Sequence, residues 1–322
     1  MNPTGGHTFG LSPDACKTAI DAVMFEEYSR EQQPGYLRAS DSFFFKQDTT
    51  DKLAFVWDED SNVGEFQETG EQEEILNSDT RTGNQKTKLS QKYTKQVPVS
   101  DEAFRADAVG KRARIGQQIG DRARVTQDRK SILNTYGDAF DGSQNTTPDG
   151  DALASASHTT LTGVNVDNLE TGLLSPDNLW TCVTTLANQK GQDGDAGSHV
   201  FEGIVVPFLL YKTAKEVMNS QLLANSGENN INIFDTDYGS VRIASTIFLG
   251  STYNSATNAN TSYHVVSRNH MITRKVFYDL TTKLIAPEQT ANDTYLYRSK
   301  YHESVFPGSW TGIVCSTGAA AS

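Results

Sequence analysis

The chain has 322 residues, a formal net charge of −12 and 36% apolar residues. That length suits one large or two modest domains. The negative balance gives no global reason to grip nucleic acid, and the apolar share is low for a compact enzyme yet above the disordered range.

Cys16, Cys182 and Cys315 are far apart and odd in number. They argue against a disulfide framework and a cysteine zinc site, and read as small buried apolar residues in a reducing cytoplasm. Met1–Gly6 has neither a basic nor an apolar run, so no signal peptide is visible. No stretch approaches the length of a membrane span, and no membrane partner is expected.

Ser12–Pro13–Asp14 reads as an N-cap, a proline at the first helical position and an acid in the first turn. A short helix follows, with Ala19, Ile20, Val23 and Met24 on one side, and Pro34–Gly35 breaks the chain after it. Phe43–Phe44–Phe45 favours a strand entering a core. Lys52–Trp57 alternates, with Leu53, Phe55 and Trp57 on one face.

A charge-split segment comes next. Asp58 to Asp79 holds nine acids and no base, and Arg81 to Lys95 holds five bases and no acid. So polar a hairpin has little core of its own and reads as an arm that lies on another surface.

Ser100–Asp101–Glu102 opens a long helix to about Asn134. Its narrow apolar stripe is Phe104, Ala108, Ile115, Ile119, Thr126 and Leu133, and its exposed face is basic. Gly110, Gly116 and Gly120 weaken it by roughly 1 kcal/mol each against alanine.

Gly137–Gly150 is a polar connector. Ser175–Pro176–Asp177 repeats the cap signature before a helix carrying Leu179, Trp180, Val183 and Leu186. Phe201–Val206 is a buried-type strand, and Pro207 starts another helix. Ile231, Ile233 and Val241–Leu249 read as strands, and Gly250–Ser262 as an exposed, mobile tip. Strands follow at Tyr263–Val266, Lys275–Leu280 and Thr294–Tyr301, the last with Tyr295, Tyr297 and Tyr301 on one face. The alternation is too irregular for a doubly wound sheet, so the fold class is α+β.

Nucleotide-binding glycine loops, a nucleophile elbow and H-E-x-x-H are all absent from the sequence. The chain reads as no enzyme and calls for no cofactor. His264 and His270 are read as polar core or surface histidines rather than metal ligands. Asp138, Asp141, Asp149 and Asp151 miss the spacing of a calcium loop and are read as turn formers. The basic helix lacks stacking aromatics between its charges, which argues against specific nucleic-acid reading.

Several stretches together resemble a known family. FFFKQDTTDKLAFVWDEDSNVGEF from Phe43 and SQKYTKQVPVSDEAFRAD from Ser90 resemble the passage through a projecting loop into a spine helix. TPDGDALASASHT from Thr147, LSPDNLWTCVTTLANQKGQDG from Leu174 and FEGIVVPFLLYKTAKEVMNS from Phe201 resemble the group's pattern of a strand ending in Val-Pro and entering a helix. By these stretches and the order of elements, the chain resembles major capsid proteins of tailed bacteriophages, with the Hong Kong ninety-seven fold.

The resemblance implies an N-terminal arm over 1–42 and an extended β-hairpin loop, the E-loop, over 43–99. It implies the spine helix and first part of the peripheral domain over 100–173, an axial domain over 174–262 and the peripheral C-terminal strands over 263–322. It implies a shell of hexamers and pentamers enclosing double-stranded DNA, in a virion assembled in the host cytoplasm. A portal protein is implied, a decoration protein is admitted, and contact with packaged DNA is weak and non-specific. The arm is too short for a fused scaffolding domain, so a separate scaffolding protein is expected.

An encapsulin-type nanocompartment shell of the same fold is the alternative. The family geometry lays the loop on an adjacent subunit. Glu65, Glu68, Glu71, Glu73 and Glu74 are then the expected contacts to Arg112, Arg122 and Arg129 of the neighbour's spine helix.

Overall fold

The structure, a computed structural model, describes residues 13–30, 34–61, 82–100, 111–221, 231–256, 258–286 and 294–319. In chain order the first elements are α1 (Pro13–Ser29), β1 (Lys46–Thr49), β2 (Ala54–Asp60), β3 (Thr82–Leu89), β4 (Gln91–Ser100) and α2 (Lys111–Leu133). There follow β5 (His158–Thr159), β6 (Asn165–Val166), β7 (Leu169–Glu170), α3 (Pro176–Ala187), β8 (Phe201–Pro207), α4 (Tyr211–Asn219) and α5 (Ile233–Thr236). The last are β9 (Arg242–Thr246), β10 (Tyr263–Ser267), β11 (Ile272–Ile285), β12 (Thr294–Pro307) and β13 (Ile313–Ser316). The chain forms two compact units, both discontinuous in sequence. One takes Met1–Gln32, Gln91–Gln127 and Val276–Glu303, and the other takes the rest.

In the first unit β12 pairs antiparallel with β4 from Thr294↔Ser100 to Glu303↔Gln91. Strand alternation puts Tyr295, Tyr297 and Tyr301 on one face. There they close a core with Val99, Leu280, Ile20 and Met24 of α1 and Ile119 of α2. Tyr93 stacks on Tyr301 at 4.9 Å between centroids.

Of the apolar stripe expected of the long helix, Phe104 and Ala108 lie outside the described residues. Ile115 and Ile119 face this core, but the buried line then runs through Gly120, Arg124 and Gln127 rather than Thr126. Both polar side chains have partners within the unit. Arg124 pairs with Asp121 and donates to the Arg30 carbonyl, while Gln127 donates to Glu303 and accepts from Tyr28. Gly116 and Gly120 are where the backbone of α1 crosses. A β-carbon there would sit 2.8 Å from the Ile20 carbonyl oxygen and 2.3 Å from that of Met24.

In the second unit five strands run in the order β7–β13–β10–β8–β9. β8 is parallel to β9 and antiparallel to β10. Helices α3 and α4 cover the sheet through Leu179, Val183, Leu186, Ala214, Val217 and Met218. The second proline cap forms as read: Ser175 accepts from the Asn178 amide, with proline next in the helix. Val206–Pro207 ends β8 and a single 3₁₀ turn leads into α4.

Three expectations fail for local reasons. Phe43–Phe45 forms a turn, because Asp41 accepts the Phe43 amide through its carboxylate and the Phe45 amide through its carbonyl; Phe44 and Phe45 are still buried. Ile233 starts the one-turn helix α5, capped by Asn232, which accepts from the Phe234 amide. The 250–262 loop is partly packed, with Ala259 buried and Asn254 donating to the Gly137 carbonyl.

Candidate self-association surfaces

The hairpin is built from β2 and β3, paired from Ala54↔Leu89 to Asp60↔Thr82. Its root is anchored despite its polarity. Phe55 and Glu59 are buried, and the Trp57 ring meets Phe306 edge-on at 6.2 Å. Lys275 lies over both Phe55 and Trp57. The bases of β3 are committed within the chain: Lys86 donates to Thr146, and Lys88 to the Asn145 side chain. Burial lowers the pKa of both lysines.

Beside the root lies a cavity of about 780 Å³ whose walls include Trp57, Glu59, Gln192 and His199. Burial, and then the charge of Asp149, raise the Glu59 carboxyl to about 7. Burial pushes Asp149 up, but hydrogen bonds from His158 and Thr147 outweigh it, leaving that carboxyl below its ordinary value. Asp149, Asp151 and His158 are close enough to hold a cation. Both ring nitrogens of His158 are already used, Nδ1 at 2.7 Å from Asp149 and Nε2 at 3.3 Å from the Leu153 carbonyl. The arrangement is a hydrogen-bonded turn. Asp138 likewise accepts from the amides of Gln144 and Asn145.

Of the two placements open for His264 and His270, surface or core, both take the core, fully buried. Nε2 of His270 lies 2.6 Å from the Phe43 carbonyl, and Nδ1 of His264 lies 3.1 Å from the Cys315 sulfur. Burial pulls their pKa values down to about 4 and about 3.

Of the expected contact residues, Glu65, Glu68, Glu71, Glu73, Glu74 and the Arg112 side chain lie outside the described residues. Arg122 is exposed on α2. Arg129 is exposed too, and its guanidinium sits 5.8 Å from the centre of the Tyr253 ring.

Sequence reasoning missed a second basic surface. On the sheet face opposite the tyrosine core, Lys92, Lys283, Arg298 and Lys300 line a groove of about 450 Å³ with no acidic residue among the described residues of its wall. Alternation along β4 and β12 was the signal that could have found it. Exposed apolar side chains cluster around the start of α4, with Leu209 71% and Phe208 49% exposed.

The family model for phage capsid protein matches residues 85–316, well over half the chain. The chain belongs to the phage capsid protein family. It is a major capsid protein, and its mixed helix-and-sheet fold is the Hong Kong ninety-seven type. A virus-like particle from Pyrococcus furiosus is similar in fold, with a TM-score of 0.54 at 10% identity, covering 93% of this chain and 98% of that one. The capsid of Myoviridae phage XM1 gives 0.53 at 13% identity, covering 91% and 95%. The capsid of Ralstonia phage GP4 gives 0.53 at 11%, covering 89% and 94%. These scores do not favour a nanocompartment over a phage shell, whereas the family model is that of phage capsids. No curated protein matches the chain in sequence. The family is structural rather than an enzyme class, and capsid proteins are virion components that self-associate.

Proposed function

We propose that this capsid protein builds the icosahedral head of a tailed phage from hexamers and pentamers, enclosing double-stranded DNA, with no catalytic activity of its own. The observation that carries this reading is the family match across residues 85–316 on a fold shared with phage capsids. Assembly in the host cytoplasm, a separate scaffolding protein, a portal and an optional decoration protein belong to the same proposal.

So does the division into arm (1–42), E-loop (43–99), spine helix and peripheral domain (100–173), axial domain (174–262) and C-terminal strands (263–322). Within it, β4 contributes its whole length to the sheet of the first unit. The acids Glu65, Glu68, Glu71, Glu73 and Glu74 reach cations of an adjacent copy. Arg112, Arg122 and Arg129 are the candidates on the spine helix, and Arg122 has its charge in solvent.

Sedimentation and negative-stain imaging of the purified full chain test the reading. Closed, uniform shells that incorporate DNA when co-expressed with packaging proteins are the expected result. A chain that stays a small soluble oligomer with and without a scaffolding partner would overturn it.

A further inference from the structure

We infer that the basic sheet face of the first unit, rather than the spine helix, is the main acceptor for the acidic segment of a second copy. The inference rests on the shell reading above and names the surface that the acidic segment meets.

Consider first where the chain's own cations go. Lys86 and Lys88, the bases of β3, donate to Thr146 and Asn145. Arg124 is 4% exposed and pairs with Asp121. Arg114, Arg122, Arg129 and Lys130 remain exposed on α2 and form no ion pair among the described residues, but they are spread along about 24 Å of helix rather than gathered in one groove.

The sheet face behaves differently. Lys92 on β4, Arg298 and Lys300 on β12 and Lys283 on β11 converge on one groove. Arg298 is held in place by donating through Nε to Gln96 at 2.9 Å, and Lys300 lies 5.0 Å from the centre of the Tyr278 ring. Among the described residues, none of the four forms an ion pair. Thr94 and Thr281 add hydroxyls between the charges.

Four cations in one groove, without an ion pair among the described residues, are unexpected on a chain of net charge −12. The partner they fit is an extended acidic peptide. Side chains at alternate positions of a strand are about 7 Å apart. Arg298 and Lys300 have that spacing, and an extended segment would present Glu71 and Glu73 at the same interval. The sequence itself carries such a segment, with Glu65, Glu68, Glu71, Glu73, Glu74 and Asp79 and no base among them. Because every copy has both surfaces, the contact is head-to-tail and propagates around a ring.

The test uses the full chain and a labelled synthetic peptide of residues 64–79. Fluorescence anisotropy at low salt reads binding without requiring a shell to form, so its outcome is separate from that of the assembly experiment. The wild-type chain is expected to bind the peptide, more weakly as salt rises. The triple variant K92E/R298E/K300E is expected to lose roughly tenfold or more in affinity, the sum of three exposed pairs at mid-range. K92Q/R298Q/K300Q keeps the fold and tests charge loss without repulsion; a several-fold loss is expected there. A loss with the spine-helix variant R122E as large as that of the triple variants would overturn the inference in favour of α2 as the acceptor.

Undiminished peptide binding by both triple variants would overturn the inference, even if the protein forms shells. So would no salt-sensitive binding to the wild type at millimolar peptide. A duplex DNA oligonucleotide that binds this face while the peptide does not would overturn it in favour of nucleic acid as the partner.

Discussion

Gly120→Ala separates two accounts of the spine helix that differ in sign. Helix propensity alone predicts that alanine stabilises an interior helical position by about 1 kcal/mol over glycine. Packing predicts the reverse. An alanine methyl would lie 2.3 Å from the Met24 carbonyl oxygen and 3.2 Å from the Tyr28 backbone nitrogen. Both contacts are with backbone, so no flexible side chain can yield. Overpacking of this kind costs about 1–3 kcal/mol when neighbours can shift.

If α1 instead lifts away, the burial of Ile20 and Met24 is lost, at about 1.5–3 kcal/mol for each side chain. Set against the propensity gain, the net destabilisation is about 0–2 kcal/mol if neighbours shift and about 2–5 kcal/mol if α1 lifts away. The assay is hydrogen exchange of the amides of 17–29 together with thermal melting of the unassembled chain. Faster exchange along α1 and a lower Tm are expected. Gln117→Ala, at an exposed position one helical turn earlier, should leave both unchanged. A raised Tm for Gly120→Ala would refute the crossing.

Three further outcomes follow from the second unit. Glu59 has a folded pKa raised to about 7, above its ordinary 4.5; its contribution to stability is therefore complete below about pH 4.5 and is lost as pH rises through 7. Denaturant titrations of the unassembled chain across pH 4–8 should show that decline, and Glu59→Gln should flatten it. Trp57→Ala removes the ring that packs on Phe306 and under Lys275, so exchange at 54–60 and 82–89 should accelerate, with about 2 kcal/mol of local protection lost from this half-buried site. Cys182 and Cys315 are buried, and burial is the main cause that raises both thiols, Cys182 to about 12. Neither should react with a thiol-specific disulfide reagent until the chain is denatured, as thiol titration with and without denaturant will show.

What was legible in the sequence was whatever depends on short-range periodicity. Tyr295, Tyr297 and Tyr301 were placed on one face of a strand, and they share one core. The Ser175–Pro176 cap was readable because its hydrogen bond spans only three residues. The buried line of α2 was not, because it is set by a partner helix roughly a hundred residues earlier. Gly116 and Gly120 looked like weaknesses until the crossing backbone of α1 supplied their reason. Arg124 looked like one more surface charge, yet Asp121 and the Arg30 carbonyl let it be buried. The turn at Phe43–Phe45 was missed because Asp41, a local competitor for backbone amides, outweighs the strand preference of three aromatics.

The same limit governs the basic surfaces. The eight bases of the spine-helix stretch point to a contact there, because a charge run is visible in one dimension. The groove of Lys92, Lys283, Arg298 and Lys300 is assembled from three strands separated by up to two hundred residues, and no window of sequence contains it. Placement then sorts the two surfaces. On the helix, Arg124 is buried against its own subunit and the exposed bases are strung along the axis; in the groove, four cations meet with no acid among the described residues of the wall. Net charge gives no hint of this division. Cations gathered in one groove repel one another in the free subunit, and an acidic partner relieves that cost. Since each copy brings an acidic run with no base in its sequence, that relief is available at every contact of a ring.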